Sequence, residues 1–261
     1  MRRRLEKKRV IITGATSGIG LALAEALGDE GCRLIINGRR AERLDAIQQQ
    51  LQAKGVECAS VAGDVTQKSI RQQMLDTAQS QFGGLDILIN NAGIGAMGRF
   101  DTASEDRMRQ VFEINFFAVA DFIRESLPLL NAGDDSLIVN LSSVLGHRAV
   151  PLKSEYCASK FAIHGFSDAI RAELAQNGIE ILLVSPSTTD SEFFDAAIED
   201  ETKKNWKKGG AMSPDAVAAR TVGAMKKRRH EIILTFGGRT LVWLDRFIPG
   251  IANRIIARFG Q

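Results

Sequence analysis

Six short apolar runs recur along the chain at intervals that a helix can fill. They are RVIIT (9–13), RLIIN (33–37), LDILIN (85–90), SLIVNL (136–141), IEILLV (179–184) and EIILTF (231–236), with VECASV (56–61) a weaker seventh. Between them, GLALAEALGDEG, AERLDAIQQQLQAK and SIRQQMLDTAQSQF carry apolar residues at helical spacing. Strands apolar on both faces and separated by helices belong to a mostly parallel sheet covered on both sides. No linker breaks the alternation. The expected architecture is therefore one doubly wound α/β domain, with a seven-stranded sheet and helices on both faces. Sheets of this kind bind ligands beyond the C-terminal ends of their strands, so motifs at strand ends carry most weight.

Composition removes several function classes. With 34 basic and 31 acidic residues the formal charge is only +3, too small to imply a nucleic-acid partner. The basic clusters MRRRLEKKR, KKNWKK (203–208) and KKRR (226–229) read as solvated faces or termini. Cys32, Cys58 and Cys157 form no disulfide framework and no metal-ligand spacing, which points to a reducing cytoplasm. Three histidines at unrelated positions give no metal-ligand motif, so no metal is expected. No apolar run reaches the ~18 residues of a spanning helix, and the N-terminal arginines lack the apolar stretch of a signal peptide.

The first strand runs into TGATSGIG (13–20) and then a helix. Gly14 can turn tightly, Gly18 lets a pyrophosphate approach the backbone and Gly20 allows close helix–strand packing. Thr16, Ser17 and Ile19 complete a phosphate cradle on the amides of the helix N-terminus. The second strand ends in NGRR, with no acidic residue and with Arg39 and Arg40. Guanidinium groups suit the 2′-phosphate of NADP(H), whereas an acid there would select NAD. NADP(H) is the expected cofactor.

These pieces resemble the short-chain dehydrogenase/reductase family from about residue 8 to residue 235. After TGATSGIG come Asp64-Val65, NNAG (90–93), Asn115, Ser143, and Tyr156 with Lys160 four residues later. Ser143 precedes Tyr156 by thirteen residues, the family's spacing, which favours it over the neighbouring Ser142. The resemblance implies a Rossmann-like NADP-binding catalytic domain over 1–237, with a substrate lid at about 187–212; an amphipathic helical extension, unusual for the family, follows over 238–261. It implies Asn115, Ser143, Tyr156 and Lys160 as catalytic residues in carbonyl reduction or alcohol oxidation. Tyr156 would exchange a proton with the substrate oxygen, held also by Ser143. Lys160 would bind the nicotinamide ribose and lower the phenol's pKa, with Asn115 holding a water between Lys160 and solvent. Asp64 would accept from the adenine amino group beside Val65. Asn91, Ala92, Gly93, Pro186, Thr188 and Thr189 would complete the cofactor site. Asn91 also has a structural reading, tying strand ends together, and Asn115 could be an ordinary buried polar residue. The sequence departs from the family in SPSTTDSE (185–192), where Ser187 stands for glycine and Ser191 for threonine.

Ser143, Leu145, Tyr156, Phe193 and Met97 are the candidate substrate contacts, with Ile94, His147 and Leu152 as further wall residues. An apolar or lipid-like carbonyl substrate is expected. Phe193, Phe194, Trp206 and Met212 of the lid segment could line a pocket or pack the loop down. His147 reads as a loop polar residue and Cys157 as packing. The tail RTLVWLDRFIPGIANRIIARFG (239–260) repeats apolar residues (Leu241, Leu244, Ile248, Ile251, Ile255, Phe259) at three or four, with arginines interspersed. It could cover a neighbouring subunit in a homodimer or homotetramer, cover its own substrate entrance, or lie on a membrane surface. A non-catalytic dinucleotide sensor or scaffold is the competing function class.

Overall fold

The apolar runs become strands because their aliphatic residues can be buried on both sheet faces at once, most fully in the central ones. A computed structural model describes residues 2–193, 197–198 and 211–257. The strands are β1 (Arg9–Ile12), β2 (Arg33–Gly38), β3 (Cys58–Ala62), β4 (Ile87–Asn90), β5 (Leu137–Leu141), β6 (Glu180–Ser185) and β7 (Glu231–Ile233). All pair in parallel, in the order β3-β2-β1-β4-β5-β6-β7. The order reverses between β1 and β4, which opens a crevice beyond their C-terminal ends.

Around the sheet lie α1 (Gly18–Asp29), α2 (Ala41–Ala53), α3 (Lys68–Phe82), α4 (Glu105–Phe112), α5 (Ala118–Asn131), α6 (Ser154–Ala175) and α7 (Pro214–Lys226). The period of two in β1 divides the core. Val10 and Ile12 pack with Leu23, Leu27 and Val217 on the α1/α7 side; Ile11 packs with Met74, Phe122 and Ile163 on the α3/α5/α6 side.

Two expectations change. The run EIILTF is strand only to Ile233, because Thr235 accepts from the Gly238 amide at 3.0 Å and caps a new helix. That helix, α8 (Phe236–Phe247), begins two residues before the expected boundary and is followed by α9 (Pro249–Ala257). The N-terminal basic cluster is solvated only in part: Arg2, Arg4 and Lys7 are exposed, but Arg3 and Lys8 are not. Arg3 is buried with both carboxylates of Asp135 and Glu180 within 3.2 Å, and Arg228 of the KKRR cluster joins the same pair. Lys8 is buried too, donating to the Asp134 carbonyl at 2.6 Å. Opposite charges from four segments gather there, which makes burial of the guanidinium tolerable. KKNWKK lies outside the described residues.

Candidate active site

The β1–α1 turn is held open by glycine where no other residue fits. Gly14 has φ +66°, and a Cβ on Gly20 would lie 2.2 Å from the Gly14 carbonyl oxygen. Asn91 braces the turn from β4, donating to the carbonyls of Thr13 and Gly14 at 2.9 and 3.0 Å. The Thr13 hydroxyl accepts from the Asn91 and Ala92 amides, both at 3.0 Å. The structural reading of Asn91 therefore holds. Ser17 stands at the N-cap of α1 without a capping bond, leaving the first-turn amides facing the crevice. Its hydroxyl instead accepts from Arg40 at 3.1 Å.

That crevice is a cavity of about 520 Å³. Gly14, Thr16, Ser17, Gly18 and Ile19 border it from the turn, and Arg39, Arg40, Asp64 and Val65 from the ends of β2 and β3. Asn91, Ala92, Gly93 and Ile94 enter after β4, Pro186, Thr188 and Thr189 after β6. Gly20 lies beneath, packed on the turn. Asp64 Oδ1 accepts from the amide and hydroxyl of Thr66, both at 2.9 Å, which fixes its carboxylate at the rim. The lone tyrosine, Tyr156, lies on α6 with Lys160 one turn on, and both line the far end with Ser143.

Ser143 caps a 3₁₀ turn (Val144–Gly146), its Oγ accepting from the Leu145 amide at 3.1 Å. Its hydroxyl also interacts with the Tyr156 phenol, which acts to lower that group's pKa. Ser142 also borders the cavity, but its hydroxyl donates to the Lys160 carbonyl at 3.4 Å. Lys160 Nζ donates to the Leu141 carbonyl at 2.8 Å and lies 5.7 Å from the Tyr156 ring centroid. Asn115 occupies a π turn (Glu113–Phe117) ahead of α5, a local widening often found at functional sites. Its Oδ1 accepts from the Ile94 amide at 2.9 Å, and its Nδ2 donates to the Ile94 carbonyl and Ser159 Oγ, both at 3.0 Å. It ties the β4 loop to α6.

The expected acidification of the phenol is absent from this geometry. Burial pushes Tyr156 up to about 12, and the Ser143 hydrogen bond only partly opposes it. Burial also lowers Lys160 to about 8, so a desolvated ammonium beside the ring does not overcome the cost of a buried phenolate. Burial thus holds the Tyr156 phenol in its neutral form.

Phe193 stacks edge-on against Tyr156, centroids 5.8 Å apart, over the open backbone of Gly95. Of the other expected wall residues, Ile94 and Leu145 border the cavity. Met97, Leu152 and His147 do not. Met97 is buried behind the β4 loop, Leu152 spends its carbonyl on the Gly98 amide at 3.0 Å, and His147 turns toward Ser185 and Glu231. Val150, Lys153, Ile114 and Leu241 take their places. Ser187 keeps a negative φ, so its stretch does not need glycine. Phe194, Trp206 and Phe259 lie outside the described residues. Cys157 is buried with its thiol pKa raised by burial, consistent with packing.

Two contacts escaped the sequence reading. Glu192 from the loop after β6 reaches back to Arg40 at 3.0 Å and to Arg43 at 3.1 Å. Arg107 on α4 and Glu155 on α6 form a fully buried pair at 2.7 Å. No local signal marks either, since each partner is remote in sequence.

Residues 8–202 match the short chain dehydrogenase family. Among curated relatives, Dehydrogenase/reductase SDR family member 7B of Bos taurus is 31% identical, over 98% of this chain and 82% of that protein. An uncharacterized oxidoreductase of Staphylococcus saprophyticus is 32% identical, over 82% of this chain and 88% of that one. A short-chain dehydrogenase/reductase from Burkholderia phymatum, solved with NAD, superposes with TM-score 0.86 and 27% identity, covering 95% of this chain and 96% of its own. One from Burkholderia cenocepacia, solved with NADP, gives 0.77 and 28%, covering 88% and 96%. A parallel sheet with its crevice at the β1/β4 reversal, a glycine turn below it and a Ser–Tyr–Lys set beside it thus accompany a match over most of the chain: this protein belongs to the short-chain dehydrogenase/reductase family of oxidoreductases.

Proposed function

We propose that the protein is an NADP(H)-dependent carbonyl reductase, reversible as an alcohol dehydrogenase, acting on an apolar or lipid-like substrate. The observation that carries the reading is the convergence of Ser143, Tyr156 and Lys160 on one end of a cavity whose other end is the glycine turn. The residues fit a dinucleotide: a side chain at Gly20 would collide with the turn, the α1 amides face the cavity, and two arginines stand at its adenosine end. When bound, the cofactor supplies the hydride that reaches the carbonyl carbon.

The chain's own residues do the rest. The α1 amides and Thr16 would hold the pyrophosphate, and Arg39 and Arg40 the 2′-phosphate. Asp64 and Val65 would border the adenine, and Gly93, Pro186, Thr188 and Thr189 the nicotinamide end. Lys160 would donate to the ribose hydroxyls, while Asn115 keeps the β4 loop registered on α6. Ser143 donates a hydrogen bond to the substrate oxygen, and the neutral Tyr156 hydroxyl transfers its proton there as the carbon is reduced, so the product is an alcohol. Phe193 and Leu145 give the substrate an apolar wall. A purely binding role leaves the Ser143–Tyr156 contact without a use.

Following NADPH absorbance over a panel of ketones, keto-esters and sugars tests the assignment. Turnover of apolar ketones supports it. Tight NADPH binding with no turnover of any carbonyl would favour the sensor reading.

A further inference from the structure

We propose that His147, His164 and Glu231 form a site for one zinc-class divalent metal ion, separate from the reacting cavity. Two of the chain's three histidines converge on one carboxylate there. His147 Nε2 lies 2.9 Å from Glu231 Oε1 and His164 Nε2 lies 3.7 Å from the same oxygen. All three ligand atoms fall within 4.8 Å of one another. Tetrahedral ligands at zinc bond lengths stand roughly 3.4 Å apart, so small side-chain adjustments would seat an ion. The imidazole rings meet edge to face, centroids 4.3 Å apart, both presenting Nε2 to the same point.

Two imidazoles and one carboxylate are a zinc-type donor set, and a water or Asp168 can complete four-coordination. Asp168 Oδ2 is 3.7 Å from His164 Nε2, while its Oδ1 is engaged by Arg171 at 2.5 Å. Ser185 Oγ also lies 3.2 Å from His147 Nε2 and gives up that contact when the nitrogen takes the ion. Side-chain exposure rises from 9% at His147 through 21% at His164 to 35% at Glu231, which gives an ion a way in from solvent. The ligands stand 17 and 67 residues apart along the chain (147, 164, 231), which is why no motif announced them. None borders the cavity. The ion's role is a clamp: it joins the loop that follows Ser143 to α6, which carries Tyr156 and Lys160, and to the start of β7.

The full-length protein, freed of metal, is titrated with Zn²⁺ against a chromophoric chelator, and with Co²⁺ as an optical probe. One saturable site is expected, with a four-coordinate Co²⁺ spectrum lacking thiolate absorption and a raised melting temperature. Affinity should fall about tenfold or more in His164→Ala and in Glu231→Gln. Metal-free melting of each variant shows that it is folded, and the exposed Glu231→Gln serves should His164→Ala be unstable. No saturable binding, unchanged affinity in folded Glu231→Gln, or a cysteine-ligated Co²⁺ spectrum would each overturn the proposal.

Discussion

Arg40, which the proposed function assigns to the 2′-phosphate, pairs with a carboxylate in this structure. Glu192 from the loop after β6 accepts from Arg40 and Arg43, and Arg40 also donates to Thr16 and Ser17 of the glycine turn. A 2′-phosphate there would compete with the Glu192 carboxylate for the same guanidinium. Exposed pairs of this kind contribute little, so Glu192→Gln should tighten NADPH binding by about a few-fold at most and leave NADH unchanged. Arg40→Ala should weaken NADPH and spare NADH; fluorescence titration of both cofactors measures each effect, and equal losses would refute the 2′-phosphate reading. Lys160 makes a second, pH-dependent prediction. Its pKa is lowered to about 8 by burial, so its ammonium is lost as pH rises through about 8 and is complete well below that value. Affinity for the anionic cofactor should therefore drop between about pH 7 and 9 in the wild type. The same titration on Lys160→Met should lack that step. The glycine turn, Arg39 and Arg40, and the Tyr–Lys spacing were legible because each is local. The phenol's environment was not, since burial of Tyr156 depends on packing from Phe193 and the β4 loop, which no spacing encodes.

At the scale of elements, α6 matters most, because it carries both Tyr156 and Lys160. Its first turn is anchored by the Glu155 carboxylate, which accepts from Arg107 Nε and Nη2 at 3.1 and 2.7 Å inside the protein. Burial alone would raise the Glu155 pKa, but the Arg107 and backbone hydrogen bonds hold it below the usual range. Removing one partner leaves a buried charge uncompensated, so Arg107→Ala should cost about 3–5 kcal/mol in urea unfolding. The double variant Arg107→Met with Glu155→Met should recover much of that loss; an equal or larger loss would mean the pair contributes more than charge compensation. The sign with pH follows: a carboxylate with a depressed folded pKa stabilises above its unfolded value, and this contribution is lost as pH falls below about 4. Strands and helices were readable from periodicity almost throughout. The exceptions have physical causes. The end of β7 is set by the Thr235 cap, and the Arg107–Glu155 pair joins positions 48 apart that only tertiary packing unites.

Across the whole molecule, the tail ties the active-site end together. Leu241 of α8 borders the cavity, Arg148 pairs with Asp245 and Asn253 at 2.6 Å, and Ala252 and Ile256 of α9 are buried. Among the described residues, Trp243, Phe247, Ile251 and Ile255 remain exposed, with the Trp243 and Phe247 rings 4.9 Å apart. An apolar face of this kind marks an interaction surface. Our reading is that a second copy of the chain covers it, and Trp243→Glu with Phe247→Glu should shift sedimentation equilibrium to monomer. A monomeric wild type would contradict this reading, and recovery with anionic vesicles would transfer the face to a membrane. Among the described residues no helix is long and apolar enough to cross one. The parallel sheet with its site at the strand ends was legible from the alternation of runs; the strand order was not. The tail's docking was not, because an amphipathic helix specifies an apolar neighbour without naming it. The proposed chemistry rests on a neutral Tyr156 hydroxyl that delivers the proton at the far end of the cavity. Tyr156→Phe tests it most directly, read by NADPH titration and by turnover of a ketone substrate on the same preparation. The account predicts NADPH affinity within about twofold of wild type and turnover reduced by about 10²–10⁴. Turnover that survives the substitution would contradict it.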